Sequence, residues 1–135
     1  MRYAGPEDFA PPHIDFKYII RWMKEQLITL IKNLKDNSLS FKEVIEFIET
    51  YYQHQPAAFK NGEVHNEATQ NQGSAKVFAF AQLNNLDKED TLLLFAEHYQ
   101  AVLNTPDGTD HQNIRQFMIH GWPGVIFERQ ALLAK

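Results

Sequence analysis

The stretch from Ser74 to Leu83, SAKVFAFAQL, is apolar almost all round and restricts the possible folds of this chain more than any other segment. A helix with a single apolar stripe can lie on a surface, but a helix without a polar face has to be surrounded by other elements. The small residues Ala75, Ala79 and Ala81 allow those elements to approach closely. The segment therefore predicts a central, buried helix, and Ser74 can serve as its N-cap.

The chain is long enough to surround such a helix within one domain, because 135 residues bury about two-thirds of the unfolded surface. Its net charge of −4, with lysine and arginine scattered, disfavours nucleic acid as a partner. The absence of cysteine rules out disulfides and thiolate catalysis. No apolar run approaches the roughly 18 residues that span a bilayer. We therefore expect a cytoplasmic protein without a membrane partner.

Four further segments predict helices. An apolar stripe begins near Asp15 and continues to Leu34 at steps of three and four residues. SFKEVIEFIETYY opens with a capping box formed by Ser40 and Glu43. The remaining two helices are predicted over Leu86–Leu103 and from TDHQNIRQFMIH, the latter with Thr109 or Asp110 as N-cap and Gly121 as C-cap.

Two segments predict strands. Asn61-Gly62 lies between short apolar stretches, a pattern typical of a hairpin with a type I′ turn. GVIFE alternates well enough to form one strand near Val125, which can pair with the hairpin. The predicted fold class is therefore α+β and predominantly α-helical, with about five helices and a small antiparallel sheet made of the hairpin and the C-terminal strand.

The first 22 residues are predicted to add little to the fold. Residues 1–14 hold three of the six prolines, which is typical of an extended arm. MKEQLITLIKNLK, from Met23, also resembles a natural protein start. We therefore divide the chain into residues 1–22, an arm plus the start of the first helix, and residues 23–135, a single globular domain that we expect to fold alone.

Between the hairpin and the buried helix lies NGEVHNEATQNQGSAK, which carries an unusual number of neutral hydrogen-bonding side chains. Amides recognise polar ligands while contributing little acid or base chemistry. The ligand-binding candidates in this first motif are Asn61, Asn66, Gln70, Asn71, Ser74 and Lys76. The alternative is that these side chains cap helices and satisfy the backbone of a buried connection.

A second motif, GTDHQNIR, begins the last predicted helix and supplies the binding candidates Asp110, Asn113 and Arg115. Free N–H groups at a helix start favour anions, and Arg115 can grip a carboxylate or phosphate with two hydrogen bonds. The alternative is a capped helix in which Arg115 forms a structural ion pair. Because ordered amides need polar partners, we expect the two motifs to face one cleft.

The chain shows no recognised metal or cofactor motif. Its histidines and carboxylates lack the His-Glu-x-x-His and calcium-loop spacings, and NQGSAK lacks the first glycine and the Gly-Lys-Ser/Thr end of a phosphate loop. Gly73-Ser74 is not part of a Gly-x-Ser-x-Gly nucleophile turn. We therefore expect neither a bound metal nor a cofactor.

The two motifs together resemble the HopJ type III effector family. The resemblance is carried by FKNGEVHNEATQNQGSAKVFAFAQL and TPDGTDHQNIRQFMIHGWPGVIFE, and it extends from about Leu27 to the C-terminus. The residues that match the family motif are Asn61, Gly62, Asn66, Gln70, Asn71, Gly73, Ser74 and Lys76, then Gly108, Asp110, His111, Asn113, Arg115, Gly121, Trp122 and Gly124. The resemblance implies a bacterial, effector-like protein that a type III system can secrete, and it brings no established reaction.

Two functions are compatible with these residues. The first is a small binding or interaction protein whose amide-rich cleft holds a polar small molecule or a protein partner. The second is a hydrolase or transferase acting on a polar or anionic small molecule, with His111 or Glu67 as base and Arg115 as anion clamp. We favour the first, because no set of nucleophile, base and orienting group can be derived from the spacing.

Overall fold

Six α-helices and five short strands follow one another along residues 16–135, the part of the chain that the computed structural model describes. The helices are α1 (Phe16–Lys35), α2 (Phe41–Tyr51), α3 (Gln72–Leu83), α4 (Lys88–Leu93), α5 (Glu97–Asn104) and α6 (Gln112–His120). The strands are β1 (Tyr52–His54), β2 (Phe59–Asn61), β3 (Val64–Asn66), β4 (Val125–Phe127) and β5 (Leu132–Ala134). The predicted class, α+β and mainly helical, is confirmed.

The chain divides into two compact units, residues 1–32 and residues 33–135. Within the first unit the structure describes α1 as a helix from Phe16 onwards, in agreement with the apolar stripe. The predicted arm, residues 1–14, lies outside the described residues. The proposal that residues 1–22 are dispensable therefore stays a prediction.

Helix α3 is the centre of the second unit, as its composition predicts. Six of the seven residues between positions 75 and 81 of this helix are buried: Ala75, Val77, Phe78, Ala79, Phe80 and Ala81. The ring of Phe78 lies 4.9 Å from that of Phe117 on α6 and 5.4 Å from that of Phe95 after α4, measured between centroids. Burying a side chain of this size is worth about 1.5–3 kcal/mol, so α3 holds its neighbours around it.

The capping box of α2 is present as predicted. The Ser40 hydroxyl accepts from the Glu43 N–H at 3.2 Å, and the Glu43 carboxylate accepts from the Ser40 N–H at 3.0 Å. A carboxylate from elsewhere, Glu97, accepts from the Phe41 N–H at 2.7 Å. Val44 and Ile48 form the buried face of this helix.

The helix predicted over Leu86–Leu103 is two helices in the structure. α4 ends at Leu93, and α5 begins after Ala96, whose φ of 50° and ψ of −123° are outside the usual range of an alanine. Such a conformation costs roughly 1–3 kcal/mol and persists only where its surroundings impose it. Here Phe95, just before Ala96, is buried with its ring 5.9 Å from that of Phe41. Packing therefore breaks a helix that periodicity predicts as continuous.

Two predicted N-caps are also wrong. α3 begins after Asn71, so that Ser74 is the third residue of the helix, and α6 begins after His111 and not after Thr109 or Asp110. The predicted C-cap Gly121 is confirmed by its φ of 62° and by its N–H, which donates to the Phe117 carbonyl at 2.8 Å.

The hairpin and the C-terminal strand form one antiparallel sheet with the order β3-β2-β4, as predicted. Phe59 pairs with both Asn66 and Phe127 across this sheet. The turn differs from the prediction, because Asn61 pairs with Val64 and the two turn residues are Gly62 and Glu63. Only Gly62 has a positive φ, which excludes a type I′ turn. A second sheet, β1 with β5, was not predicted.

We predict that Gly62→Ala destabilises the protein by about 1–3 kcal/mol in the free energy of unfolding. The φ of Gly62 is +59°, and an added Cβ would meet the side chains of Gln116 and His120. The matched control is Gly73→Ala, where φ is not positive and the nearest atoms, in the Phe41 ring, are 3.5 Å away.

Denaturant unfolding measures both variants. Gly73→Ala should be neutral or stabilising by up to about 1 kcal/mol, because alanine is the better helix former. Equal stabilities for Gly62→Ala and the unmodified chain would contradict the turn geometry.

Candidate functional site

Four asparagines from the two motifs form one hydrogen-bonded cluster. Asn61 and Asn66 lie on the hairpin and are fully buried, Asn113 lies in the first turn of α6 and is buried, and Asn71 precedes α3. Hydrogen bonds thereby join residues that lie 47 and 52 positions apart in the chain. The cluster confirms that the segment before α3 lies against the start of α6.

The central bond of the cluster is a reciprocal pair of amides. Nδ2 of Asn113 donates to Oδ1 of Asn66 at 3.0 Å, and Nδ2 of Asn66 donates to Oδ1 of Asn113 at 3.1 Å. Asn71 Nδ2 adds a bond to the same Asn66 oxygen at 2.7 Å. An amide supplies both the donor and the acceptor that this pairing needs, whereas an ionised carboxylate lacks the donor and would bury a charge.

Asn61 completes the cluster from the hairpin. Its Nδ2 donates to the backbone carbonyl of Asn113 at 2.8 Å and to the side-chain oxygen of that residue at 3.0 Å. Its own Oδ1 is buried and has no hydrogen-bond partner among the described residues. Because the side chains of Asn61 and Asn66 are fully enclosed, they act first as structural connectors of the two motifs.

The two helices that the cluster joins begin in the same unusual way. Asn71 and His111, the residues before α3 and α6, both have a φ of 51° and neither caps its helix with its side chain. The first intrahelical bonds are those of the Ala75 and Ile114 N–H groups. Among the described residues, the N–H groups of Gly73, Ser74 and Gln112 therefore have no acceptor.

A cavity of about 480 Å³ lies where these two helix starts meet. This volume is within the range of roughly 300–1,000 Å³ that is usual for small-molecule sites. Its polar lining comes from both motifs and from α5, and its apolar lining from α2, β3, α6 and the segment after α4. The lining residues are Phe41, Val64, Asn71, Gly73, Ser74, Phe95, His98, His111, Gln112, Asn113 and Ile114.

Two imidazole rings contribute the ionisable groups of this lining. The ring centroids of His98 and His111 are 5.0 Å apart at an angle of 34°. The His98 ring also meets the Phe41 ring edge-on at 4.9 Å. Nε2 of His111 lies 3.9 Å from Oδ2 of Asp110, too far for a hydrogen bond.

The predicted candidates fall into three places. Asn71, Ser74, His111 and Asn113 line the cavity, and Asn61 and Asn66 lie in the cluster that joins its two sides. The others are engaged elsewhere: Glu67 pairs with His65 at 3.2 Å, Gln70 accepts from the Glu67 N–H at 3.1 Å, Lys76 pairs with Glu49 at 2.7 Å, and Asp110 and Arg115 bond one another.

Arg115 holds a loop and does not line the cavity. Its Nε donates to the Asp110 carbonyl at 2.6 Å, Nη1 to the Thr105 carbonyl at 2.8 Å, and Nη2 to the Asp110 carboxylate at 2.7 Å. Its side chain is 10% exposed, so these bonds are shielded from water. The structural ion pair, given above as the alternative for Arg115, is the arrangement present.

Three lining residues were not among the predicted candidates, namely Phe41, His98 and Gln112. Phe41 and His98 lie on helices α2 and α5, whose sequences carry no signal for a site. Gln112 follows His111 directly and could have been included with the second motif. The contact between His98 and His111 depends on helix packing and has no counterpart in sequence spacing.

Across residues 16–135 no group of three or more histidine, aspartate or glutamate side chains is arranged to hold a metal ion. Over the same residues no helix has both the length and the apolar character needed to cross a bilayer.

The fold and the two motifs define a class of small α+β protein with a cavity between two helix starts. Residues 25–132 match the family described as HopJ type III effector protein, so the chain belongs to the HopJ family. It is also similar to the crystal structure of VPA0580, a protein of unknown function, with 45% identity and a TM-score of 0.74. That match covers 79% of this chain and 92% of the other. No curated protein matches the chain.

We predict that Asn66→Ala lowers the free energy of unfolding by roughly 2–3 kcal/mol, because it removes the reciprocal pair and leaves the amide of Asn113 buried with unmet bonds. Asn104→Ala, at an exposed position near the end of α5, is the control and should change stability by less than about 0.5 kcal/mol. Urea unfolding measures both. If Asn66→Ala changes the free energy of unfolding as little as Asn104→Ala does, the cluster contributes nothing to stability.

The Asp110–Arg115 pair predicts an acid-sensitive loop. The hydrogen bond from Arg115 holds the pKa of Asp110 below its ordinary value of 3.8. The stabilisation is therefore complete above pH 3.8 and is lost as the pH falls through the lower pKa of the folded state. Asp110→Asn should lose less stability than the unmodified chain between pH 5 and pH 3.

Thermal unfolding across that pH range tests this prediction. Asp107→Asn, which removes an exposed carboxylate from the same loop, should retain the full acid sensitivity of the unmodified chain. The Glu128 carboxylate, whose pKa is lowered by the N–H of Ala58, leaves a residual acid dependence in every variant. Identical pH profiles for Asp110→Asn and Asp107→Asn would contradict the role of the pair.

Proposed function

We propose that this chain is an effector-like small binding protein of the HopJ family whose ligand site is the cavity between the starts of α3 and α6. The ligand is a polar small molecule. Membership of the family suggests an effector-like protein, and the cavity suggests what such a protein does at the molecular level. We further propose synthesis in a bacterial cytoplasm and delivery by a type III system, because the family is described by that route.

The observation that carries this proposal is the convergence of both motifs on one cavity. Asn71 and Ser74 come from the first motif, and His111, Gln112 and Asn113 come from the second. Their side chains combine amide and hydroxyl groups with the His111 imidazole, and His98 of α5 adds a second imidazole, while Phe41 and Phe95 add apolar surface. A few polar groups set into an apolar wall are the usual composition of a small-molecule site.

Binding is a better explanation of these residues than catalysis. The hydrolase or transferase alternative needs His111 or Glu67 as base and Arg115 as clamp, yet Glu67 pairs with His65 and Arg115 holds the loop at Thr105 and Asp110. Of the three, His111 alone belongs to the cavity lining. A nucleic-acid ligand is disfavoured by the net charge of −4.

A ligand screen by protein NMR tests the proposal. Polar small molecules are added to ¹⁵N-labelled protein, and binders are expected to shift the amide signals of Gly73, Ser74 and Gln112. Ser74→Leu places a larger side chain in the cavity and should weaken binding by at least about tenfold. Gln82→Leu makes the same kind of change at an exposed position on the same helix and should bind normally.

Two results would overturn the proposed site. One is a screen in which no compound shifts the cavity amides. The other is a set of binders whose affinity is the same in Ser74→Leu and in Gln82→Leu.

A further inference from the structure

The ionisable side chains lining the cavity are two histidines. Its eleven lining residues, all in the described part of the chain, include no lysine, arginine, aspartate or glutamate. The formal charge of the lining is therefore zero when His98 and His111 are neutral, and it rises by one with each proton that they take up. Histidine is the side chain that changes charge between pH 5 and pH 8 in its ordinary state.

The ring nitrogens of this pair are free to bind a ligand. Neither nitrogen of His98 has a hydrogen-bond partner among the described residues, where its ring contacts are with Phe41 and His111. The nearest polar partner of His111 is the Asp110 carboxylate at 3.9 Å, beyond hydrogen-bond distance. The His111 side chain is 33% exposed and His98 is half-buried, so a ligand from solvent can reach both rings.

The carboxylates next to the pair in the chain are hydrogen-bonded to other groups but keep their negative charge. On the His111 side, Asp110 is bonded by Arg115 at 2.7 Å. On the His98 side, the carboxylate of Glu97 accepts the Phe41 N–H at 2.7 Å.

Two charged side chains on the helices next to the cavity also have partners. In the first turn of α2, the Glu43 carboxylate is bonded to Ser40. Farther along α3, Lys76 is paired with Glu49 at 2.7 Å. No carboxylate belongs to the cavity lining, and the Asp110 carboxylate, 3.9 Å from Nε2 of His111, is shared with Arg115.

We propose that the cavity binds an anion, a carboxylate, sulfate or phosphate group, and that it does so together with protons taken up by His98 and His111. This inference rests on the proposed function and names its ligand class. Two imidazolium rings 5.0 Å apart repel one another, and an anion that accepts their N–H groups offsets that repulsion. The unused N–H groups of Gly73, Ser74 and Gln112 supply further donors to the same anion.

The coupling between anion binding and proton uptake sets how the affinity for the anion changes with pH. Because the anion binds the protonated rings better, binding promotes proton uptake, and lowering the pH promotes binding. The affinity should rise by about tenfold per pH unit for each proton taken up with the anion. The dependence should flatten at low pH, where both rings are already charged in the free protein.

The experiment measures sulfate binding by NMR at pH 8, pH 7 and pH 5.5, with ionic strength held constant by chloride. Sulfate keeps its charge over this range, so any change in affinity comes from the protein. The neutral near-isostere sulfamide is the ligand control. In the unmodified chain, sulfate should also move the titration midpoints of the His98 and His111 ring protons to higher pH, and this readout needs no variant.

His98→Gln and His111→Gln should each weaken sulfate binding at pH 5.5 by at least about tenfold and reduce its pH dependence. His65→Gln is the matched control, since the His65 side chain is 61% exposed and outside the cavity lining. Sulfamide binding should be independent of pH in every protein.

Sulfate affinity that is equal at pH 8 and pH 5.5, or that falls equally in His65→Gln, would overturn the inference. The compounds found in the NMR screen separate this failure from that of the proposed function. If neutral compounds bind and depend on Ser74, the cavity is a ligand site but not a proton-linked anion site. If nothing binds there, both ideas are wrong.

Discussion

The burial of Phe78 at the centre of α3 is the constraint on which the rest of the second unit depends. Its ring contacts Phe59 on β2, Phe95 after α4, Phe117 on α6 and Trp122 in the 3-10 turn before β4. One side chain thus touches the hairpin, the break between α4 and α5, the last helix and the approach to the last strand. Since aromatic pairs add about 0.5–1.5 kcal/mol each beyond burial, this centre sets where the two motifs lie.

An apolar centre of this kind explains why the polar residues near it are asparagines. Asn61, Asn66 and Asn113 are buried beside the core, where each unmet donor or acceptor costs about 1–3 kcal/mol. Neutral amides can satisfy most of one another's hydrogen bonds, with Asn61 Oδ1 left without a partner among the described residues, whereas charged side chains would need costly pairing. The richness of the first motif in amides therefore has a structural cause, and of its asparagines only Asn71 lines the cavity.

The cavity exists because α3 and α6 both begin at residues with a positive φ. Asn71 and His111 turn the chain sharply into each helix, and their side chains are left pointing away from the usual capping position. A backbone of this kind is strained, and strain of this sort often accompanies functional sites. It also brings His111 against His98 of α5, with 5.0 Å between the ring centroids. The Asp110–Arg115 pair and the amide cluster hold the second helix start in that position.

The sequence by itself determined the buried helix, the α2 capping box, the paired hairpin and last strand, and the family, because each follows from residues close together in the chain. It also identified Asn71, Ser74, His111 and Asn113 as candidate site residues, and all four line the cavity. Only the tertiary structure decided the helix break at Ala96 and the residues at which α3 and α6 begin. It also decided that Arg115 bonds the loop at Thr105 and that His98 contacts His111. Periodicity and spacing describe neighbours within a turn or two, whereas these features depend on side chains packing between separate elements.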